Sequence, residues 1–108
     1  MGNIIDDLYE VVLARKAEPM EGSYTCYLFE QGVDKILKKC GEESAEMIIA
    51  AKNGDAQELI AEIGDVIYHI LVLMAETGVS LTALYALLED RRKKIGNLKQ
   101  RTDSVKES

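Results

Sequence analysis

The stretch Leu59–Ala75, LIAEIGDVIYHILVLMA, decides the fold of this chain. It is apolar at almost every position, and its length and lack of strict alternation predict a helix. A helix that is apolar on nearly every side is buried on more than one side. Because a chain of 108 residues has few other helices to cover it, we expect a second copy to complete its burial.

Outward from this stretch, apolar residues recur at every third or fourth position, which predicts an all-α fold. We expect four helices in a bundle-like arrangement that dimerisation completes. Asn, Asp and Ser before such runs are typical helix caps, and Gly after them is a typical stop. The predicted limits are Asn3 to about Lys16, Val33 to Asn53-Gly54 with a weak point at Gly41, Asp55 to Gly78, and a last helix capped by Ser80.

One segment and the C-terminal end are harder to assign. The aromatic residues of Ser23–Gly32, SYTCYLFEQG, suggest packing, whereas its Ser, Thr and Gly suggest an irregular segment or a single helical turn. We leave both readings open. We predict one domain over residues 1–92 and a charged, mobile tail over 93–108, where the apolar stripe is lost.

The charge is divided unevenly along the chain. The formal net charge is −6, but residues 1–90 carry a net charge of −11 and residues 91–108 are basic. An acidic body disfavours nucleic-acid binding and suits metal cations. For the basic end, a nucleic-acid contact and a solubilising, disordered tail are the two interpretations.

The chain shows no sign of export. Its first ten residues lack the basic and apolar regions of a signal peptide, and the longest apolar run, Ile70–Ala75, is too short to cross a bilayer. Cys26 and Cys40 form no closely spaced pair and are expected to be reduced thiols. These features predict a cytoplasmic protein.

Carboxylates occupy positions where they are costly. Glu62 and Asp65 interrupt the apolar helix, and an unpaired buried carboxylate costs several kcal/mol. The preceding helix carries Glu43 and Glu46 at the same spacing of three, and the short turn at residues 53–54 makes the two helices antiparallel neighbours. Facing carboxylates favour a Mg²⁺ or Mn²⁺ ion between them. The alternatives without a metal ion are a solvated acidic face and a salt-bridged core pair.

The motifs resemble those of a known superfamily. EExxE at residues 42–46, fifteen residues, and ExxD at 62–65 are similar to the signature of the all-α nucleoside-triphosphate pyrophosphatases. SYT at 23–25, KKCGEE at 38–43, AKNG at 51–54 and the stretch 65–69 narrow the resemblance to the phosphoribosyl-ATP pyrophosphatase family, over about residues 4–90. The resemblance implies Mg²⁺-dependent hydrolysis of phosphoribosyl-ATP between its α and β phosphates, the second step of histidine biosynthesis, by a homodimer. Whether dimers pair into tetramers stays open.

The resemblance also implies roles for single residues. Glu43, Glu46, Glu62 and Asp65 would be the Mg²⁺ ligands. The adjacent Glu42 would orient or deprotonate the attacking water, and the alternative for it is an outer-shell or solvated acid. His69, a lone histidine on an apolar helix, is expected in the core. The residues that we expect to bind the substrate or its phosphates are Lys39, Lys52, Asn53, Arg15 and Tyr24.

Three other functions compete with this one. A pyrophosphatase of the same superfamily that acts on dNTPs or damaged nucleotides would have the same metal ligands. A carboxylate-bridged di-iron bundle needs Glu-x-x-His pairs, but Val66 stands three residues before His69. A helical adaptor with structural acids would show no stabilisation by metal.

Overall fold

The computed structural model describes residues 2–95 of the chain. Over this range the predicted all-α class is confirmed, but the predicted count of four helices is wrong. Five helices are present, and the described residues contain no strand. They are α1 (Ile4–Ala17), α2 (Tyr24–Gln31), α3 (Val33–Asn53), α4 (Ala56–Thr77) and α5 (Leu81–Lys94).

The predicted helix ends are confirmed by their capping hydrogen bonds. The Asn3 side chain accepts a bond of 2.8 Å from the backbone N–H of Asp6, and the Asp6 carboxylate accepts one from the Asn3 backbone. Asp55 caps the start of α4. Gly54 and Gly78 end α3 and α4 with φ values of 75° and 79°, a left-handed conformation that suits glycine.

The additional helix is α2, in the segment that the sequence left undecided. The Ser23 side chain accepts a hydrogen bond of 3.2 Å from the backbone N–H of Cys26, so Ser23 is a helix cap. Gly32, with φ 91°, ends the helix. Leu28 is fully buried between these ends. Two of the residues that suggested irregular structure, Ser23 and Gly32, are therefore the helix boundaries, whereas Thr25 lies in the first turn of α2.

Helices α3 and α4 form the antiparallel hairpin that the short turn predicted. The Cys40 thiol of α3 lies 3.6 Å from the backbone oxygen of His69 in α4, whereas Glu43, further along α3, lies beside Glu62, earlier in α4. Helix α3 continues through Gly41 without interruption, so the predicted weak point does not break it. Helices α1 and α2 pack against this hairpin. The most deeply buried apolar residues are Val12, Leu28, Ile36, Ala50, Leu71 and Val72.

The chain divides into two compact units, one through Gly78 and one from Val79. The second unit contains α5, which Ser80 caps through a bond of 3.1 Å from the backbone N–H of Ala83. Helix α5 includes the first two residues of the predicted mobile tail. The rest of that prediction, for residues 96–108, lies outside the described part of the chain.

Part of the apolar surface of the hairpin is exposed in the single chain. Ile48 and Ile49 of α3 are 60% and 56% exposed, and Ile60 of α4 is 68% exposed. The stretch 59–75 is therefore only partly covered by its own chain. Among residues 2–95, no helix combines the length and apolar character needed to cross a membrane.

Candidate active site

Three acidic side chains meet across the α3–α4 hairpin. Glu43 of α3 and Glu62 and Asp65 of α4 each bring a carboxylate oxygen within 4.8 Å of the others. The spacing of three places Glu62 and Asp65 on one face of α4, and the antiparallel pairing brings that face to Glu43. Glu43 is buried, Glu62 is half-buried and Asp65 is exposed. Such a group of hard oxygen donors could hold a divalent cation.

The carboxylates around Glu62 act together on its pKa. Burial raises the pKa of Glu62, and the charge of Glu46, a hydrogen bond to Asp65, and the charges of Asp65 and Glu43 raise it further. Each of these carboxylates therefore disfavours the ionisation of Glu62. A cation among them would remove that repulsion, so the donor set fits a metal ion both in chemistry and in charge.

Glu46 takes a different position from the other three predicted ligands. It is exposed on α3 and does not belong to the group whose oxygens lie within 4.8 Å of one another. Its charge nevertheless reaches Glu62, where it is the largest electrostatic cause of the raised pKa. Glu46 therefore lies at the border of the cluster.

Lys39 is the cation beside the cluster. Its Nζ lies 3.6 Å from Oε1 of Glu43 and 3.5 Å from Oε1 of Glu42, one turn along α3. Burial acts to lower the pKa of Lys39, but Glu43, Glu42 and, once it ionises at high pH, the Tyr24 hydroxyl outweigh it and raise the pKa. Lys39 is thus held in its charged form, and Glu42 is an exposed acid paired with it rather than a member of the cluster.

Tyr24 reaches the same region from the first turn of α2. Its hydroxyl lies 3.1 Å from Nε2 of His69, and its ring meets the His69 ring edge-on. A second link joins the residue after Tyr24 to the residue before His69, since Thr25 is hydrogen-bonded to the Tyr68 hydroxyl. Burial is the main cause that raises the pKa of Tyr24, with Lys39 lowering it and Glu43 among the groups raising it. Tyr24 therefore contacts His69 of α4 and is also influenced by Lys39 and Glu43 of α3.

The other predicted substrate-binding residues lie elsewhere. Lys52 and Asn53 are exposed at the C-terminal end of α3, and the nine residues from Glu43 to Lys52 correspond to roughly 14 Å along a helix axis. Arg15 lies in the last turn of α1, where its backbone oxygen accepts a bond of 3.4 Å from the Cys26 thiol. The structure thus brings Lys39 and Tyr24 to the cluster but separates Lys52 and Asn53 from it.

His69 lies in the core, as its place on an apolar helix predicted, but its contact with Tyr24 was not predicted. His69 is 4% exposed, and its Nδ1 lies 2.7 Å from the backbone oxygen of Asp65. One signal was available, because a spacing of four places His69 on the same helix face as Asp65. The contact with Tyr24 could not be foreseen, since it depends on α2, which the sequence left undecided.

Comparisons with known proteins agree with these motifs. The family model for phosphoribosyl-ATP pyrophosphohydrolase matches residues 5–92. A phosphoribosyl-ATP pyrophosphatase of Clostridium botulinum is 55% identical over 95% of this chain and 94% of its own length. One from Clostridium novyi is 56% identical over 90% and 88%, and one from Listeria monocytogenes is 52% identical over 93% and 96%. The chain therefore belongs to the phosphoribosyl-ATP pyrophosphohydrolase family.

Proposed function

We propose that this protein hydrolyses phosphoribosyl-ATP between its α and β phosphates, giving phosphoribosyl-AMP and pyrophosphate in the second step of histidine biosynthesis. The observation that carries the proposal is the carboxylate cluster of Glu43, Glu62 and Asp65 in a chain of this family. A polyphosphate substrate brings a dense negative charge, which an acidic site can accept only together with cations.

The cluster would hold Mg²⁺, with Mn²⁺ as a second candidate. Glu43, Glu62 and Asp65 supply oxygen ligands, and Glu46 at the border of the cluster completes the proposed set. When bound, the ion supplies charge neutralisation to the triphosphate and to the leaving pyrophosphate. The raised pKa of Glu62 supports this proposal, because it reflects burial first and then repulsion by the neighbouring carboxylates, and a cation would relieve that repulsion.

The chain's other residues would orient the substrate and the water. Lys39 is held charged beside the cluster and would attract a phosphate oxygen. Glu42, the exposed acid next to it, would orient the water and accept its proton. The water oxygen then forms a bond to phosphorus while the bond to the bridging oxygen breaks, and pyrophosphate leaves with that electron pair.

Lys52, Asn53 and Arg15 would act further from the reacting phosphates. The distance of Lys52 and Asn53 from the cluster, and the position of Arg15 on α1, suit contacts with the outer parts of a long substrate. A lysine at a helix end also favours the helix dipole. We keep them as proposed substrate-binding residues, secondary to Lys39 and Tyr24.

We also propose that the active form is a homodimer in the cytoplasm. The exposed isoleucines Ile48, Ile49 and Ile60 form an apolar surface on the hairpin that a second copy would cover. The 22-residue helix α4 would then be buried on two sides, as its composition predicts. Pairing of dimers into a tetramer is a further candidate arrangement. The free thiols Cys26 and Cys40 agree with a reducing compartment.

A substrate panel tests the proposed reaction. Pyrophosphate release is measured with phosphoribosyl-ATP, dATP, dCTP, dUTP and ATP in separate assays that contain Mg²⁺. Release from phosphoribosyl-ATP alone supports the proposal. Preferential release from dNTPs would contradict it and assign the protein to nucleotide house-cleaning, and no release from any of them would favour a non-enzymatic adaptor.

A further inference from the structure

The buried histidine of α4 connects two parts of the candidate site. His69 Nδ1 lies 2.7 Å from the backbone oxygen of Asp65, and His69 Nε2 lies 3.1 Å from the hydroxyl of Tyr24. Both partners are uncharged groups, and the ring is 4% exposed.

For an uncharged His69 ring, its two contacts fix the tautomer. A backbone carbonyl oxygen only accepts hydrogen bonds, so the proton must be on Nδ1, which donates to Asp65. Nε2 of a neutral imidazole with a protonated Nδ1 can only accept. The Tyr24 hydroxyl must then donate its proton to Nε2, and its remaining lone pairs face outward as acceptors.

We propose that His69 is a positioning residue, which holds the Tyr24 hydroxyl as a hydrogen-bond acceptor beside Lys39 and the carboxylate cluster. An acceptor there suits a donor such as a ribose hydroxyl of the substrate and does not suit a phosphate oxygen, which itself accepts. The inference rests on the proposed function and assigns Tyr24 to the sugar rather than to the phosphates.

Other contacts besides the bond to His69 hold Tyr24 and α2. The Tyr24 ring stacks against Tyr27 and Tyr68, with centroids 6.0 Å and 6.2 Å apart. Thr25, the residue after Tyr24, is hydrogen-bonded to Tyr68, the residue before His69, and this bond also joins α2 to α4. We therefore expect loss of the His69 acceptor to free the Tyr24 hydroxyl while these contacts keep α2 in place.

The tautomer can be measured directly, because His69 is the sole histidine of the chain. In protein labelled with ¹⁵N-histidine, NMR should show one protonated nitrogen, Nδ1, and one unprotonated nitrogen, Nε2. Tyr24→Phe should shift the Nε2 resonance, since it removes the donor, whereas the matched control Tyr27→Phe should leave it unchanged. A proton on Nε2, or an Nε2 resonance that Tyr24→Phe does not move, would overturn the inference.

Kinetics then test the positioning role. Tyr24→Phe and His69→Phe should each raise KM for phosphoribosyl-ATP about three- to tenfold, the effect of one hydrogen bond, and change kcat less than twofold. The double variant should be no worse than Tyr24→Phe alone, because His69 acts through Tyr24. His69→Gln, which keeps an acceptor oxygen, should recover most of the loss.

Other results would contradict the positioning role of His69. Multiplying losses in the double variant, or a fall in kcat together with the melting temperature, would give His69 a purely structural role. If His69→Phe does not fold, Tyr24→Phe and the NMR comparison decide the question. A wild-type protein that releases no pyrophosphate from phosphoribosyl-ATP would overturn the proposed function instead, and the NMR result would still decide which way the Tyr24 proton points.

Discussion

Glu43 of α3 and Glu62 of α4 place carboxylate oxygens within 4.8 Å of each other across the helical hairpin. Both lie in a partly buried environment, with Lys39 as the nearby cation on the Glu43 side. Like charges at this distance raise the free energy of the fold unless a cation lies between them. This relationship is the basis of the predictions that follow.

Removal of two proposed ligands should abolish activity while preserving the fold. The double variant Glu62→Gln with Asp65→Asn keeps the size of both side chains but removes their charges. We expect Mg²⁺-dependent release of pyrophosphate to fall at least a hundredfold, and helical circular dichroism to stay unchanged. The control Glu10→Gln, on an exposed residue of α1, should keep full activity. Near-normal turnover of the double variant would contradict the metal assignment.

The pKa of Glu62 predicts how stability depends on pH without metal. Because folding raises this pKa above its usual value of 4.5, the folded chain binds more protons than the unfolded chain at and above that pH. Stability from this group therefore decreases as pH rises through the raised pKa. In EDTA at pH 7, Glu62→Gln should melt at a higher temperature than the wild type, and the difference should shrink below pH 4. A variant that melts lower at pH 7 would be inconsistent with the repulsion.

Substitution of Lys39 should raise KM for the substrate more than substitution of its neighbour Lys38. Lys39→Met removes the cation that pairs with Glu42 and Glu43, and we expect KM for phosphoribosyl-ATP to rise about tenfold, as for a charge-assisted hydrogen bond. Lys38→Met is the matched control, because Lys38 is exposed on the same helix. Equal effects of the two substitutions would indicate a general charge effect rather than a specific contact.

Substitution of Ile60, the most exposed of the isoleucines of α4, tests the proposed dimer. Ile60→Glu places a charge on a residue that is 68% exposed in the single chain. If a second copy covers it, the dissociation constant of the dimer should rise by roughly a hundredfold or more, since two apolar contacts are lost by symmetry. Analytical ultracentrifugation of the 12.0 kDa chain measures this. The control Ile4→Glu, on the exposed start of α1, should leave the dimer intact, and a wild type that sediments as a monomer would refute the proposal.

Most of the fold could be predicted from the sequence because its signals are local. Caps such as Asn3 and Asp55 and the glycine stops Gly54 and Gly78 act within one helical turn. Helix α2 was not predicted, since its stability depends on burying residues such as Leu28 against other helices. An eight-residue helix is too short for a clear apolar period, so its composition alone could not decide.

In the candidate site, too, the part that depends on local sequence spacing could be predicted and the part that depends on packing could not. The meeting of Glu43 with Glu62 and Asp65 follows from a spacing of three and a short turn, both of which can be read from the sequence. The contacts of Tyr24 with His69 depend on how α2 packs against α4, and no local pattern specifies that packing. The wide separation of Lys52 from the cluster follows from helix geometry, but the prediction that Lys52 binds phosphate rested on its positive charge and not on that geometry.

The most direct test of the central claim is pyrophosphate release from phosphoribosyl-ATP by the wild-type protein, first with Mg²⁺ and then with excess EDTA. The carboxylate cluster predicts rapid release with Mg²⁺, loss of release in EDTA, and recovery when Mg²⁺ is added back. Unchanged release in EDTA would contradict the metal-dependent mechanism, and no release under either condition would contradict the proposed reaction itself.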